Sequence, residues 1–121
     1  MFKPDNIIKP DNNNIDLSNK LLPNLPAGFG HAPSVPNLRM LDLSKNKLTS
    51  LPDGFGLNIP NLQILDLSYN NLTSLPDCFG HAPSVPSLRS LYLVSNQFTR
   101  LPDGFGQNLP KLKFLFFNTY C

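Results

Sequence analysis

The chain has little of what a small disulfide-bonded or membrane-anchored protein requires. Only two of its 121 residues are cysteine, Cys78 and Cys121, and two cannot build the disulfide framework of a small secreted domain. Residues 1–30 contain no apolar stretch long enough for the core of a signal peptide or for a membrane anchor. These absences favour a cytoplasmic location and predict no membrane insertion. The mature form of a secreted effector, or a truncated extracellular protein, would have the same features.

Concentrated charge is also missing. Acidic and basic residues make up 15% of the chain and leave a formal net charge of +2, and the lysines and arginines are scattered and form no long run. The sequence therefore predicts no nucleic-acid partner. Hydrophobic residues account for 40% of the chain, a composition typical of a globular protein with a buried core.

Proline is abundant and regularly placed. The chain has 13 prolines. Pro26, Pro52, Pro76 and Pro102 each follow a leucine, and one proline of each later repeat stands two residues before a leucine: Pro36, Pro60, Pro86 and Pro110. Regular spacing of this kind marks repeated turns. Residues 25–50 and 75–100 share about 16 identities over 26 positions, which indicates a tandem duplication.

Three segments, 38–48, 62–72 and 88–98, fit the template L-x-x-L-x-L-x-x-N-x-L. A degenerate copy precedes them around Ile15, Leu17 and Leu22, and an incomplete copy follows around Leu112 and Leu115. The five copies are spaced about 24 to 26 residues apart, within the range of one class of solenoid repeat.

This pattern resembles the leucine-rich repeat family, in the form that carries LPxxxF in its return segment. The resemblance covers residues 12–121 as about five repeats, the last of them incomplete, and leaves residues 1–11 as an N-terminal extension. It implies an α/β solenoid, a right-handed superhelix with short parallel β-strands on its concave face. The prolines predict irregular or 3₁₀ return segments on the convex face.

Two recurring residue types have structural interpretations. Asparagines at the end of each strand, Asn46, Asn70 and Asn96, are expected to form a ladder that satisfies buried backbone groups of neighbouring turns. Lys20 and Tyr120 occupy the same position in the outer repeats, which predicts frayed ladders at both ends. Phenylalanines of the return segments are expected to stack as a spine: Phe29, Phe55, Phe79 and Phe105.

The sequence predicts no enzyme, no cofactor and no metal site. His31 and His81 lie two repeats apart, about 10 Å along the solenoid, which is too far to share a metal ion. Cys78 takes the place of a glycine beside a spine phenylalanine and is expected to be a buried small side chain. Aspartates recur at one template position, but a repeating column gives like environments, whereas acid–base catalysis needs different ones.

Binding of a protein ligand is the predicted function, and the resemblance places the ligand on the concave face. The non-leucine strand residues make that face acidic in its N-terminal half and aromatic in its C-terminal half, and exposed aromatics on a rigid sheet are typical of binding hot spots. We expect a partner with an apolar anchor rimmed by basic groups. The predicted ligand-binding residues are Arg39, Asp42, Lys45, Asp66, Tyr69, Arg89, Tyr92, Phe114 and Phe116.

A structural role is the alternative. A solenoid needs a polar cap at each end, and neither the N-terminal stretch nor residues 116–121 resemble one. Phe114 and Phe116 would then be covered by a further repeat or by a second copy of the chain. In this interpretation the chain is an assembly fragment of a longer protein, or it self-associates through its uncapped ends.

Overall fold

The computed structural model describes residues 13–25, 37–52, 55, 59–76, 85–101, 105 and 109–117. They contain five three-residue strands, β1 (Asn14–Asp16), β2 (Met40–Asp42), β3 (Ile64–Asp66), β4 (Ser90–Tyr92) and β5 (Phe114–Phe116). All neighbouring strands are parallel, and they follow sequence order across one sheet. One strand per repeat in a parallel sheet is the arrangement expected of a leucine-rich repeat solenoid.

The core consists of the template leucines. Leu41, Leu65 and Leu91 occupy the middle of β2, β3 and β4, lie side by side in register, and are fully buried. Their outward-facing neighbours on each strand are only half-buried, as the alternation of a strand with one covered face requires. Burial of apolar side chains supplies about 25 cal/mol per Å², so each repeat is stabilised chiefly by stacking on its neighbours.

The return segments contain tight turns built on proline. Three of them have the form apolar–Pro–x–Leu, in which the leucine N–H donates to the carbonyl three residues earlier, as from Leu62 to Ile59 at 3.2 Å and from Leu88 to Val85 at 3.1 Å. Proline suits the second position of such a turn because its φ is already fixed. No helix occurs among the described residues, in agreement with the irregular returns that the sequence predicts.

The phenylalanine spine is described in part. Phe55 is fully buried, and Phe105 packs against the core while partly buried. The other two members, Phe29 and Phe79, lie outside the described residues, as does the predicted N-terminal extension, residues 1–11.

The asparagine ladder is confirmed at its centre. The Asn70 amide donates to the carbonyl oxygens of Leu43 and Leu67 at 3.0 Å and of Ser68 at 3.2 Å, and its oxygen accepts a bond from the Leu48 N–H at 3.1 Å. Asn70 is itself 6% exposed. One side chain thus satisfies buried backbone groups of two successive repeats, a role that only an amide, with both donors and an acceptor, can fill.

The predicted fraying of the N-terminal ladder was wrong. Asn46 reaches back into the first repeat, where its oxygen accepts bonds from the N–H groups of Lys20 and Leu22 at 3.0 Å and its amide donates to Leu17 at 3.0 Å. Asn46 thus bonds to the repeat before its own as well as to its own repeat, so the first repeat needs no ladder asparagine to satisfy these groups. Tyr120, at the same position in the last repeat, lies outside the described residues.

The residue before each ladder position has a left-handed backbone conformation, with positive φ. Asn19, Lys45, Tyr69 and Ser95 have φ values of 58°, 58°, 59° and 60°. Residues other than glycine and asparagine pay a steric penalty in this region. Only the first repeat carries asparagine here, so the other three turns hold their conformation at the expense of stability.

Replacing Lys45 with asparagine, the residue of the first repeat, is therefore expected to raise the free energy of unfolding by about 0.5–1 kcal/mol. Urea denaturation of both proteins measures the change. Lys47→Asn is the matched control, because Lys47 is also exposed and is not among the residues of positive φ. An equal increase in the free energy of unfolding of the control would show that removal of a positive charge, and not the conformation of the turn, causes the effect.

Among the described residues, β5 is the last strand at the C-terminal edge of the sheet, which we call the open edge. Leu115 of β5 is 39% exposed, whereas its counterparts in β2, β3 and β4 are fully buried. All three β5 side chains are exposed, because no further strand lies beyond them among the described residues. At the other edge Ile15 is 6% exposed, so the two ends of the sheet differ.

Candidate functional site

The candidate site is the face of the sheet opposite the leucine core, the face that the family resemblance predicts to be concave. It is formed by the side chains of strands β1–β5 that point away from the core and by the residues flanking these strands, and we call it the outer face. Because the strands are in register, residues at one template position form a row across the sheet. The first row consists of Asn14, Met40, Ile64, Ser90 and Phe114, and the second of Asp16, Asp42, Asp66, Tyr92 and Phe116.

The acidic part of the second row is bound to its own turns. Asp42 accepts hydrogen bonds at 2.9 Å from the Ser44 N–H and at 2.6 Å from its hydroxyl. The same pair recurs between Asp16 and Ser18, and Asp66 accepts the backbone bond from Ser68 at 3.0 Å. These bonds hold the chain as it leaves each strand.

The Asp16 carboxyl shows the electrostatic effect of this pair. The hydroxyl and then the N–H of Ser18 hold the pKa of Asp16 below its ordinary value, with a smaller contribution from the positive charge of Lys20. Hydrogen bonds to the charged form lower a carboxyl pKa. The interaction therefore favours the folded state at neutral pH, and this contribution is lost as the pH falls through the lowered pKa.

Asp42 and Asp66 are predicted ligand contacts, and the bonds to their own turns are a local role that was not predicted. The signal was present as Asp–x–Ser in three successive repeats, at 16–18, 42–44 and 66–68. In the fourth repeat Tyr92 and Val94 replace both members at once. The row therefore changes from a carboxylate bound to its own turn to an aromatic ring.

Aromatic side chains dominate the C-terminal half of the outer face. The rings of Tyr92 and Phe116 stack with centroids 4.8 Å apart and planes 1° from parallel. Phe116 is 44% exposed, and Phe114, two residues earlier on the same face of β5, is 54% exposed. We refer to Tyr92, Phe114 and Phe116 as the aromatic patch. Stacked rings on a fixed backbone present apolar surface with little conformational freedom to lose on binding.

Tyr69 follows β3 and is not a strand residue. It is exposed, but it lies in the left-handed turn after β3, in the row that also contains Lys45. Its N–H donates to the Val94 carbonyl at 2.9 Å. The structure thus stacks Tyr92 on Phe116, places Phe114 on the same face of β5, and places Lys45 and Tyr69 in the turns that follow β2 and β3.

A row with three basic residues precedes the strands. Backbone bonds link Gln63 to Arg39 at 2.7 Å, Arg89 to Gln63 at 2.8 Å and Lys113 to Arg89 at 2.9 Å. Arg39, Arg89 and Lys113 are exposed. The outer face therefore carries bases where the strands begin, and carboxylates or aromatic rings where they end.

The described part of the chain offers no metal-binding cluster. It contains no group of three or more histidine, cysteine, aspartate or glutamate side chains that could hold a metal ion. No helix found there is long and apolar enough to cross a membrane. Both histidines and both cysteines that the sequence analysis considered lie outside the described residues.

Comparison with known proteins gives family and structural matches. Two family models, both described as leucine-rich repeat, match residues 36–85 and 87–108. YopM from Yersinia enterocolitica is 30% identical with a TM-score of 0.67, and the match covers 94% of this chain and 22% of that one. A leucine-rich repeat protein of Leptospira interrogans is 32% identical with a TM-score of 0.67, over 92% of this chain and 33% of that one. The chain thus spans a third or less of these structures, and no curated protein sequence matches it.

Proposed function

Because the chain belongs to the leucine-rich repeat family, we propose that it is an interaction module that binds a protein ligand on the outer face of its sheet. Leucine-rich repeat domains generally mediate protein–protein interaction and are typically not enzymes. The proposal requires no cofactor. The contact surface comprises Arg39, Asp42, Lys45, Asp66, Tyr69, Arg89, Tyr92, Phe114 and Phe116.

The aromatic patch is the observation that carries this proposal. Water-exposed aromatic rings are costly to leave uncovered, and buried aromatic anchors supply most of the binding free energy in protein interfaces. The stacked rings of Tyr92 and Phe116 stand at the position where the earlier strands carry an aspartate bonded to its own turn. The rings therefore do not serve the local turn in the way the aspartates do, which favours a ligand as their function.

Alanine at both Tyr92 and Phe116 is expected to weaken binding of the protein ligand about thirtyfold, the effect of losing one hot-spot pair. The ligand is first captured from a lysate of the source organism on the immobilised parent chain, and its affinity for each variant is then titrated. Leu21→Ala is the matched control, since Leu21 is 66% exposed and lies at the opposite end of the solenoid. Circular dichroism verifies that all three proteins are folded.

Undiminished affinity after the double substitution would contradict the proposal. An equal loss with Leu21→Ala would show that the capture depends on exposed apolar surface in general. Both outcomes are measured on the same captured protein, so a change in yield cannot be mistaken for a change in affinity.

Assembly through the open C-terminal edge is a second candidate, and the exposure of Leu115 favours it. Leu115 lies in the last strand of the described residues, and an exposed core leucine at a sheet edge is a surface on which another strand can be added. Sedimentation velocity at increasing concentrations tests self-association: we expect a concentration-dependent shift that Leu115→Lys abolishes. A single monomeric species at all concentrations would contradict it.

A further inference from the structure

We propose that the ligand contacts the aromatic patch through a peptide segment in which acidic residues flank an apolar anchor. This inference rests on the proposed function and adds the chemistry of the partner. It reverses the sequence-based expectation of a partner rimmed by basic groups.

The bases beside the aromatic patch are the first observation. Arg89 and Lys113 immediately precede β4 and β5. The Lys113 N–H donates to the Arg89 carbonyl at 2.9 Å, so the two residues lie beside each other at about the 5 Å spacing of neighbouring strands. Both are exposed, and Phe114 directly follows Lys113. Two neighbouring cations next to an exposed ring form a site for a carboxylate attached to an apolar side chain.

The distribution of charge along the solenoid is the second observation. Described residues 85–101, 105 and 109–117 include four bases and no acidic side chain. The carboxylates of the outer face lie in β1, β2 and β3, where one oxygen of each accepts bonds from its own turn. Positive charge therefore adjoins the aromatic patch on the side where the strands begin. A ligand anchored on the patch contacts these basic side chains before it reaches the carboxylates.

The position of Asp66 decides between a peptide and a nucleic acid. Asp66 is paired in register with Tyr92, one strand away in the same row. A nucleic-acid backbone carries a charge on every nucleotide and gains affinity by neutralising several phosphates, so a strand laid along the solenoid would cross the acidic row. A peptide can confine its acidic groups to the side of Arg89 and Lys113 while its anchor covers the rings.

The test is a selection of displayed random twelve-residue peptides on the folded chain. Enriched sequences are expected to contain aspartate or glutamate within a few positions of an apolar residue. Their affinity is expected to fall at least tenfold with Arg89→Glu plus Lys113→Glu, through like-charge repulsion. Lys47→Glu plus Arg100→Glu is the matched control, because it changes the net charge equally at exposed positions away from the aromatic patch.

Each outcome of the selection has one meaning. Peptides that depend on Tyr92 and Phe116 but are neutral or basic would overturn this inference and leave the proposed function standing. Absence of any peptide that depends on these rings would count against the proposed function itself. Tighter binding of single-stranded polyuridine than of the enriched peptides, lost with the same arginine and lysine substitutions, would replace the peptide by a nucleic acid. Equal effects of the two charge reversals would also overturn the inference, since they would reveal only a response to net charge.

Discussion

Asn70→Ala is expected to lower the free energy of unfolding by at least about 3 kcal/mol. The substitution removes four hydrogen bonds and leaves their backbone partners in two adjacent repeats without the side chain that satisfied them. A buried backbone group left unsatisfied costs about 1–3 kcal/mol, and Asn70 is only 6% exposed. The loss should exceed that of an ordinary surface substitution several-fold.

Asn71→Ala provides the control for this measurement. Asn71 is the next residue along the chain and is exposed, and the backbone bond from its N–H to the Leu48 carbonyl at 2.8 Å does not involve its side chain. Urea denaturation followed by circular dichroism should show a change of about 0.5 kcal/mol or less for this variant. If Asn70→Ala and Asn71→Ala lowered the free energy of unfolding by similar amounts, the hydrogen bonds of the ladder would not be the source of the effect.

Leu65→Ala is expected to destabilise the fold by about 3 kcal/mol, because the cavity lies where leucines of three successive strands meet. Leu115→Ala removes the same group from the same template position in β5, where 39% of the side chain already contacts water. Its cost should be about 1 kcal/mol or less, since less apolar surface is withdrawn from water there.

The comparison of the two leucines also tests the state of the open edge. If Leu115→Ala proved as costly as Leu65→Ala at every protein concentration, the edge would be covered within one chain in solution. A cost that grows with protein concentration would instead indicate coverage by a second copy, because association stabilises the folded state by mass action. Thermal unfolding at two concentrations distinguishes these outcomes.

Most of the fold could be predicted from the sequence because the template is repeated. A template repeated at one register fixes which leucines share a core and that the strands are parallel, since each repeat can bury its apolar face only against the next. The asparagine ladder followed from the same logic, because a polar residue at a buried turn must be satisfied. The irregular return segments followed from their prolines, which suit turns and not helix interiors.

The candidate site was only partly readable. Rows of side chains on the outer face follow from the register, so their members could be assigned in advance. Whether the side chains of a row contact a ligand or their own backbone could not be predicted, because that depends on which atoms lie within hydrogen-bonding distance. Asp42 appeared to be a surface charge, but its carboxylate accepts two bonds from Ser44. Tyr69 lies in the left-handed turn after β3, a backbone conformation that its place in the template does not reveal.

The sequence alone determined the repeat, its register and the identity of the core, because these depend on periodic hydrophobicity and on backbone groups that every repeat shares. Tertiary structure decided the direction of the ladder, the stacking of Tyr92 on Phe116 and the contrast between the buried Ile15 and the exposed Leu115. These properties arise between repeats, from contacts across about 5 Å of strand spacing. A pattern that is the same in every repeat cannot specify how one particular repeat meets its neighbour.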